Sequence, residues 1–207
     1  MMKNFKTEQE FFWAGEFGDD YISRNSNKKL IAANVNLFSK ILEKTRNVKS
    51  IIEFGANIGN NIDAIRSLFP DCDCSAVEIN KKAADILRGK NVKVYNASIL
   101  DFTIEQKSDL SFTKGVLIHI NPDELQTVYQ KLYYASKKYI LIVEYYNPVP
   151  VEINYRGHEG KLFKRDFAGE LLDKYPDLSL IEYGFVYHRD NNFAQDDLTW
   201  FLLEKNK

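Results

Sequence analysis

Glu53-Phe54-Gly55-Ala56-Asn57-Ile58-Gly59 joins two contrasting patterns. Before it, Ile51 and Ile52 read as part of a buried strand; after it, residues 58–69 carry helical spacing. A strand, a glycine-bearing turn and a helix let backbone approach a nucleotide-like ligand closely. Glu78 ends a second short apolar run, Ala76-Val77-Glu78. It lies about 20 residues beyond the turn, where a dinucleotide-type fold places the acid that bonds ribose hydroxyls.

Outward from this unit the pattern alternates. Residues 50–54, 74–78, 92–95, 109–113 and 139–144 read as strands, and 81–88 and 123–136 as helices, the last beginning after Pro122. Tyr139-Ile140-Leu141-Ile142-Val143-Glu144 is nearly all apolar, as a central strand covered on both faces should be. This order predicts an α/β fold: a mostly parallel Rossmann-like sheet with helices on both faces. Residues 179–187 and 198–204 read as an antiparallel pair at its edge, after a helix at 167–174. Upstream, 28–45 has one broad apolar helical face. Residues 7–25 read as a short ordered cap, rich in aromatics and interrupted at Gly15 and Gly18. One domain spans 1–207, with a helical cap at 1–47 and the core at 48–207. Residues 145–164, holding Pro148, Pro150, Gly157 and Gly160, read as an irregular substrate loop.

Bulk properties exclude several partners. A net charge of -1 leaves no electrostatic footprint for nucleic acid. No apolar run approaches the roughly 20 residues of a membrane helix, and the basic stretch at 1–7 has no apolar region behind it. Cys72 and Cys74 are too close in sequence for a good disulfide and read as reduced thiols. The expected setting is cytoplasmic, with a small-molecule substrate and no metal.

The motifs then narrow the ligand. No Gly-Lys-Ser/Thr is present, which excludes a P-loop. Asn57 occupies the centre of a G-x-G pattern, where asparagine tolerates a left-handed backbone. Its side chain would crowd a pyrophosphate, and Asn60, Asn61 and Asp63 follow with no basic residue. That argues against NAD(P) and favours S-adenosyl-L-methionine, which carries a ribose, an amino acid and a sulfonium but no phosphate. Glu78 is placed to accept ribose hydroxyl protons, with Ile79 against adenine. Ser98 and Ile99 follow the third strand, where loops line the crevice. Lys114 to His119 follow the fourth. An imidazole with pKa about 6.5 can take a proton or orient a nucleophile, so His119 is the first candidate base and His158 the second.

The order of these motifs over 48–145 resembles the seven-stranded, Rossmann-like class I methyltransferases that use S-adenosylmethionine. The resemblance implies that Gly55, Asn57 and Gly59 wrap the methionine part, with Glu53, Ala56 and Asn60 in the same loop site. It implies that Glu78 holds the ribose, Ser98 and Ile99 lie near adenine, and Lys114 to His119 line the methyl-donor side. S-adenosyl-L-homocysteine would be the product of an EC 2.1.1 transfer. The flanks extend the likeness. Thr7-Glu8-Gln9-Glu10-Phe11-Phe12-Trp13-Ala14-Gly15-Glu16-Phe17-Gly18-Asp19, Tyr146-Asn147-Pro148, Tyr155-Arg156-Gly157-His158, Leu162-Phe163-Lys164-Arg165-Asp166-Phe167 and Asp196-Asp197-Leu198-Thr199-Trp200-Phe201 are similar to the pseudaminic acid biosynthesis-associated methylases. That family implies a sugar or sugar-nucleotide acceptor in surface-polysaccharide synthesis.

The 145–164 loop suits a small anionic acceptor on its own chemistry. Tyr146, Asn147, Tyr155, Arg156 and His158 offer rings, hydrogen bonds and positive charge, and a guanidinium suits carboxylate or phosphate. Trp13, Tyr21 and Arg24 are placed to close over the same crevice. The rival readings are a nucleotide-fold binding or partner protein without catalysis, and an NAD(P)-dependent oxidoreductase.

Overall fold

The computed structural model describes residues 5–24 and 28–206; residues 1–4, the start of the basic opening stretch, lie outside them. Strands β1 (Ser50–Phe54), β2 (Asp73–Val77), β3 (Lys93–Tyr95), β4 (Ser108–Lys114) and β5 (Ser136–Glu144) run parallel. Strands β8 (Leu178–Phe185) and β9 (Thr199–Lys205) are antiparallel additions. The seven-stranded order is β3-β2-β1-β4-β5-β9-β8. Chain order reverses between β1 and β4, and the crevice above that reversal is where open α/β sheets bind ligands.

Helices cover both faces because the strands bury side chains on both. Phe38 and Ile41 of α3 (Lys28–Leu42), with Ile62 and Ile65 of α4 (Asn60–Leu68), pack on Ile51, Phe112 and Leu141. Leu87 of α5 (Lys81–Arg88) joins them. On the other face Tyr129 and Leu132 of α6 (Leu125–Ala135), with Phe167 and Leu171 of α7 (Phe167–Lys174), pack on Ile52, Phe54, Ile140 and Leu203. A fully buried residue of this size contributes about 1.5–3 kcal/mol, so both layers are firm platforms for the loops above.

Helices α1 (Glu8–Ala14) and α2 (Glu16–Arg24) lie over the crevice. A capping box starts α1: the Glu10 amide donates to Thr7 Oγ1 at 3.2 Å, and the Thr7 amide donates to Glu10 Oε2 at 2.9 Å. Gly15 ends α1 as expected. Gly18 does not interrupt the chain; it lies within α2 and is buried. A Cβ there would stand 1.9 Å from the Trp13 carbonyl oxygen, so close helix approach, not a break, accounts for this glycine.

The 145–164 segment is more ordered than its prolines and glycines suggest. Strands β6 (Val151–Glu152) and β7 (Phe163–Lys164) pair antiparallel. Tyr155 and His158 exchange backbone hydrogen bonds of 2.9 and 3.0 Å around Arg156 (φ 53°) and Gly157 (φ 87°). Two positive φ angles in a two-residue loop are the geometry that matches strand twist.

Candidate active site

A cavity of about 1180 Å³, counting open solvent at its mouth, lies above the carboxyl ends of β3, β2, β1 and β4 and beneath α1 and α2. Pockets of some hundreds of Å³ hold small molecules, so this one has room for two. Gly55, Ala56, Asn57, Asn60, Glu78, Ile79, Ser98, Ile99, Lys114 and His119 line it, together with Trp13 and Tyr21.

The loop after β1 is shaped by three left-handed residues: Gly55 (φ 76°), Asn57 (φ 48°) and Gly59 (φ 82°). Gly55 is required by packing, since a Cβ would meet Val116 at 2.7 Å. Gly59 is required likewise, with Leu87 at 2.6 Å. The asparagine at the centre holds its own turn, Oδ1 accepting from the Ile58 amide at 2.6 Å. Gly59 does not line the cavity; it starts α4 behind it. Neither does Glu53, which is fully buried under the loop and accepts from Asn61 Nδ2 at 2.6 Å.

Glu78 is the hub. Its Oε2 accepts from the Asn57 amide and its Oε1 from the Asn80 amide, each at 2.7 Å. Asn80 caps α5 through Oδ1, accepting from the Ala83 amide at 3.0 Å, and its Nδ2 donates to Asp19 of α2 at 2.8 Å. One short segment thus links ribose-type acid, glycine loop and cap. Glu144 clamps the next turn, accepting from the Val116 and Leu117 amides at 3.0 Å.

His119 is buried on a short 3₁₀ turn (Leu117–His119). Its Nδ1 lies 2.6 Å from the Lys161 carbonyl, which only an N–H can satisfy, so Nε2 carries the free lone pair. Burial lowers its pKa to about 4, well under the ordinary value expected from sequence. The ring packs against Trp13 and Tyr155, at 4.6 and 4.9 Å between centroids.

The remaining candidates lie outside the cavity lining. Arg24 sits on the Phe17 ring at 5.3 Å, on the outer side of α2. Tyr146 packs on Phe201, and Asn147 donates to the Val149 carbonyl at 2.6 Å. Arg156 and His158 form the exposed tip of the hairpin, His158 beside Phe12. Tyr155 reaches the site only through His119 and Trp13. Thr7, Gln9, Glu10, Asn34, Asn61, Ile120 and Asn121 line the cavity without having been singled out. The Thr7-x-x-Glu10 capping pattern was the available signal for the first of them.

Burial pushes Glu53 up to about 8, and Glu78 and Glu144 up to about 7. Folded values above the unfolded value of about 4.3 mean the fold retains protons the unfolded chain releases. Their stabilisation is full below about 4.3 and is lost as pH rises through 7 and 8. His119 has the opposite sign, losing stability as pH falls from about 6.5 to about 4. Between pH 6.5 and 8 the carboxyls act alone. Thermal melts of the ligand-free protein should therefore fall across that window, by about 1 kcal/mol per pH unit, and Glu53→Gln should flatten the slope. A level or rising trace would contradict this assignment.

No known family's profile matches the chain, and no curated protein matches it in sequence. Solved structures do. Burkholderia thailandensis 1,6-didemethyltoxoflavin-N1-methyltransferase, with S-adenosylhomocysteine bound, has a TM-score of 0.67 at 14% identity, covering 100% of this chain and 94% of its own. Magnesium protoporphyrin IX methyltransferase from Synechocystis, also with S-adenosylhomocysteine, has 0.67 at 10%, covering 96% and 100%. The plantazolicin methyltransferase BpumL with the same product has 0.65 at 16%, covering 96% and 94%. The chain has the Rossmann-like fold of S-adenosylmethionine-dependent methyltransferases.

Among the described residues no helix is long and apolar enough to cross a membrane, and no group of three or more His, Cys, Asp or Glu could hold a metal ion. The cavity suits an adenosyl amino acid on its own terms. It has a diol-type acid at Glu78, apolar Ile79 and Ile99, and no cationic cradle at the start of α4 for a pyrophosphate.

Proposed function

We propose that this chain is a methyltransferase that uses S-adenosylmethionine to modify a small anionic metabolite. The observation that carries the reading is Glu78, held by the glycine loop and facing the cavity with acceptor capacity left for a ribose diol. When bound, S-adenosylmethionine supplies an electrophilic methyl group on a positively charged sulfur. The chain's own work is binding, alignment and exclusion of water. Trp13 and Tyr21 cover the cavity, and Tyr155 backs the His119 ring. His119 Nε2 is oriented to accept a hydrogen bond from an acceptor hydroxyl or amine. At a pKa of about 4 it orients and takes a proton only as positive charge leaves the acceptor.

A sugar or sugar nucleotide of a surface-glycan pathway is the acceptor class we favour, on the likeness of the flanks to the pseudaminic acid-associated methylases. The structural neighbours carry names with unrelated acceptors, so fold alone does not select one.

Calorimetric titration with S-adenosylhomocysteine, then methyl transfer to sugar acids, their CMP-linked forms and phosphorylated metabolites, tests this. Product binding and turnover on one acceptor class are expected. His119→Ala should lower turnover by about 10²-fold or more while leaving product affinity within about threefold. Product binding with no turnover across the panel would favour a binding protein. Stabilisation by NAD(P) in place of S-adenosylhomocysteine would overturn the reading.

A further inference from the structure

We infer that Lys114 holds the α-carboxylate of the donor, so that the end of the cavity above β4 selects an adenosyl ligand carrying a complete amino-acid head group. This rests on the donor reading above and adds a specificity to it.

The sheet order sets the ruler. Ser98 and Ile99 follow β3, Glu78 follows β2, the glycine loop follows β1 and Lys114 ends β4, and all open on one cavity. Neighbouring strands are about 4.8 Å apart, so Lys114 starts roughly 10 Å beyond Glu78. With the ribose at Glu78 and adenine at Ser98, only a substituent continuing past the ribose sulfur approaches β4. An amino-acid chain does so; a methylthio group stops short.

The chemistry at that end has two signs. Lys114 makes no hydrogen bond and no ion pair within 4 Å among the described residues, although its surroundings are buried enough to lower its pKa. Glu53, Asp196 and Glu144 act on it only through space, and both Glu144 oxygens are engaged by backbone amides. A desolvated cation without a partner is costly, and a bound anion removes the cost. Beside it stand unpartnered acceptors. Glu53 pairs with Phe112 across β1 and β4, which puts its side chain on the same sheet face as Lys114, two residues on. Glu53 Oε2 has no partner. Asn34 lines the cavity at 1% exposure; its Nδ2 donates to Asn61 Oδ1 at 2.9 Å, while its Oδ1 has no partner. A free cation next to two free acceptors fits a zwitterion, with carboxylate to Lys114 and ammonium toward Asn34 and Glu53. A plain anion would leave the acceptors unpaired, and a plain amine would leave Lys114 unpaired.

The test uses two ligands that share adenosine and differ in the head group: S-adenosylhomocysteine and 5′-methylthioadenosine. Calorimetry on wild type should show tighter binding of the first. Lys114→Met should weaken S-adenosylhomocysteine by about 10- to 100-fold and leave 5′-methylthioadenosine unchanged, which also shows that the variant is folded. Lys114→Arg should recover part of the loss. Unchanged S-adenosylhomocysteine affinity in Lys114→Met, or equal weakening of both ligands, would overturn the inference and leave the donor reading standing. Failure of wild type to bind either ligand would remove both.

Discussion

Glu78→Gln is expected to weaken S-adenosylhomocysteine binding by about 100-fold or more, roughly 3 kcal/mol, and to lower stability by about 1–3 kcal/mol. Each carboxylate oxygen already accepts one backbone amide, from Asn57 and Asn80. An amide side chain replaces one acceptor by a donor. Whichever way it turns, a buried backbone N–H faces an N–H. The hydrogen bonds left for a diol also lose their charge, which accounts for the larger part of the affinity change. Since both test ligands contain the ribose, Glu78→Gln should weaken 5′-methylthioadenosine as well, unlike the Lys114 variant. The carboxyl has a pKa of about 7, so wild-type affinity should also rise as pH passes through 7 and the acceptor form fills. This is opposite in direction to the fall in ligand-free stability. Affinity within threefold of wild type would remove Glu78 from the ligand.

Much of this arrangement was legible in sequence because periodicity and turn chemistry act locally. The strand at 50–54 and the helices at 81–88 and 167–174 appear at the boundaries their apolar spacing sets. Asn57 adopts the left-handed conformation that its side chain tolerates. Contacts made at long sequence separation were not legible. Arg156 combines charge with a loop position, which suggests an anion site, yet it serves as the first residue of a hairpin turn. The sequence pair Arg-Gly lacks the Asn-Gly signal for that turn. The depressed pKa of His119 depends on its burial, beside Trp13, Tyr155 and Lys161, more than 40 residues away on the hairpin side and on the cap. The free acceptors of Asn34 and Glu53 become visible only once α3 and α4 are packed together.

Gly18→Ala is expected to detach the cap. Helix propensity alone argues the other way, since alanine in a helix interior gains about 1 kcal/mol over glycine. The packing decides. The added methyl would stand 1.9 Å from the Trp13 carbonyl oxygen and 3.0 Å from Asn80 Nδ2, and the first of these is backbone, which cannot rotate aside. Overpacking of this kind costs about 1–3 kcal/mol, occasionally more. Relief requires α2 to move away from α1, from Asn80 and from Lys82, whose ion pair with Asp19 is 2.6 Å. Trp13 and Tyr21 would then leave the cavity roof. Limited proteolysis should cut within residues 8–24, S-adenosylhomocysteine affinity should fall about tenfold or more, and hydrogen exchange in the central strands β1, β4 and β5 should stay slow, because their core is independent of the cap. A variant that melts above wild type with unchanged affinity would show that propensity outweighs the contact, and that α2 is not held against the donor site by Asn80.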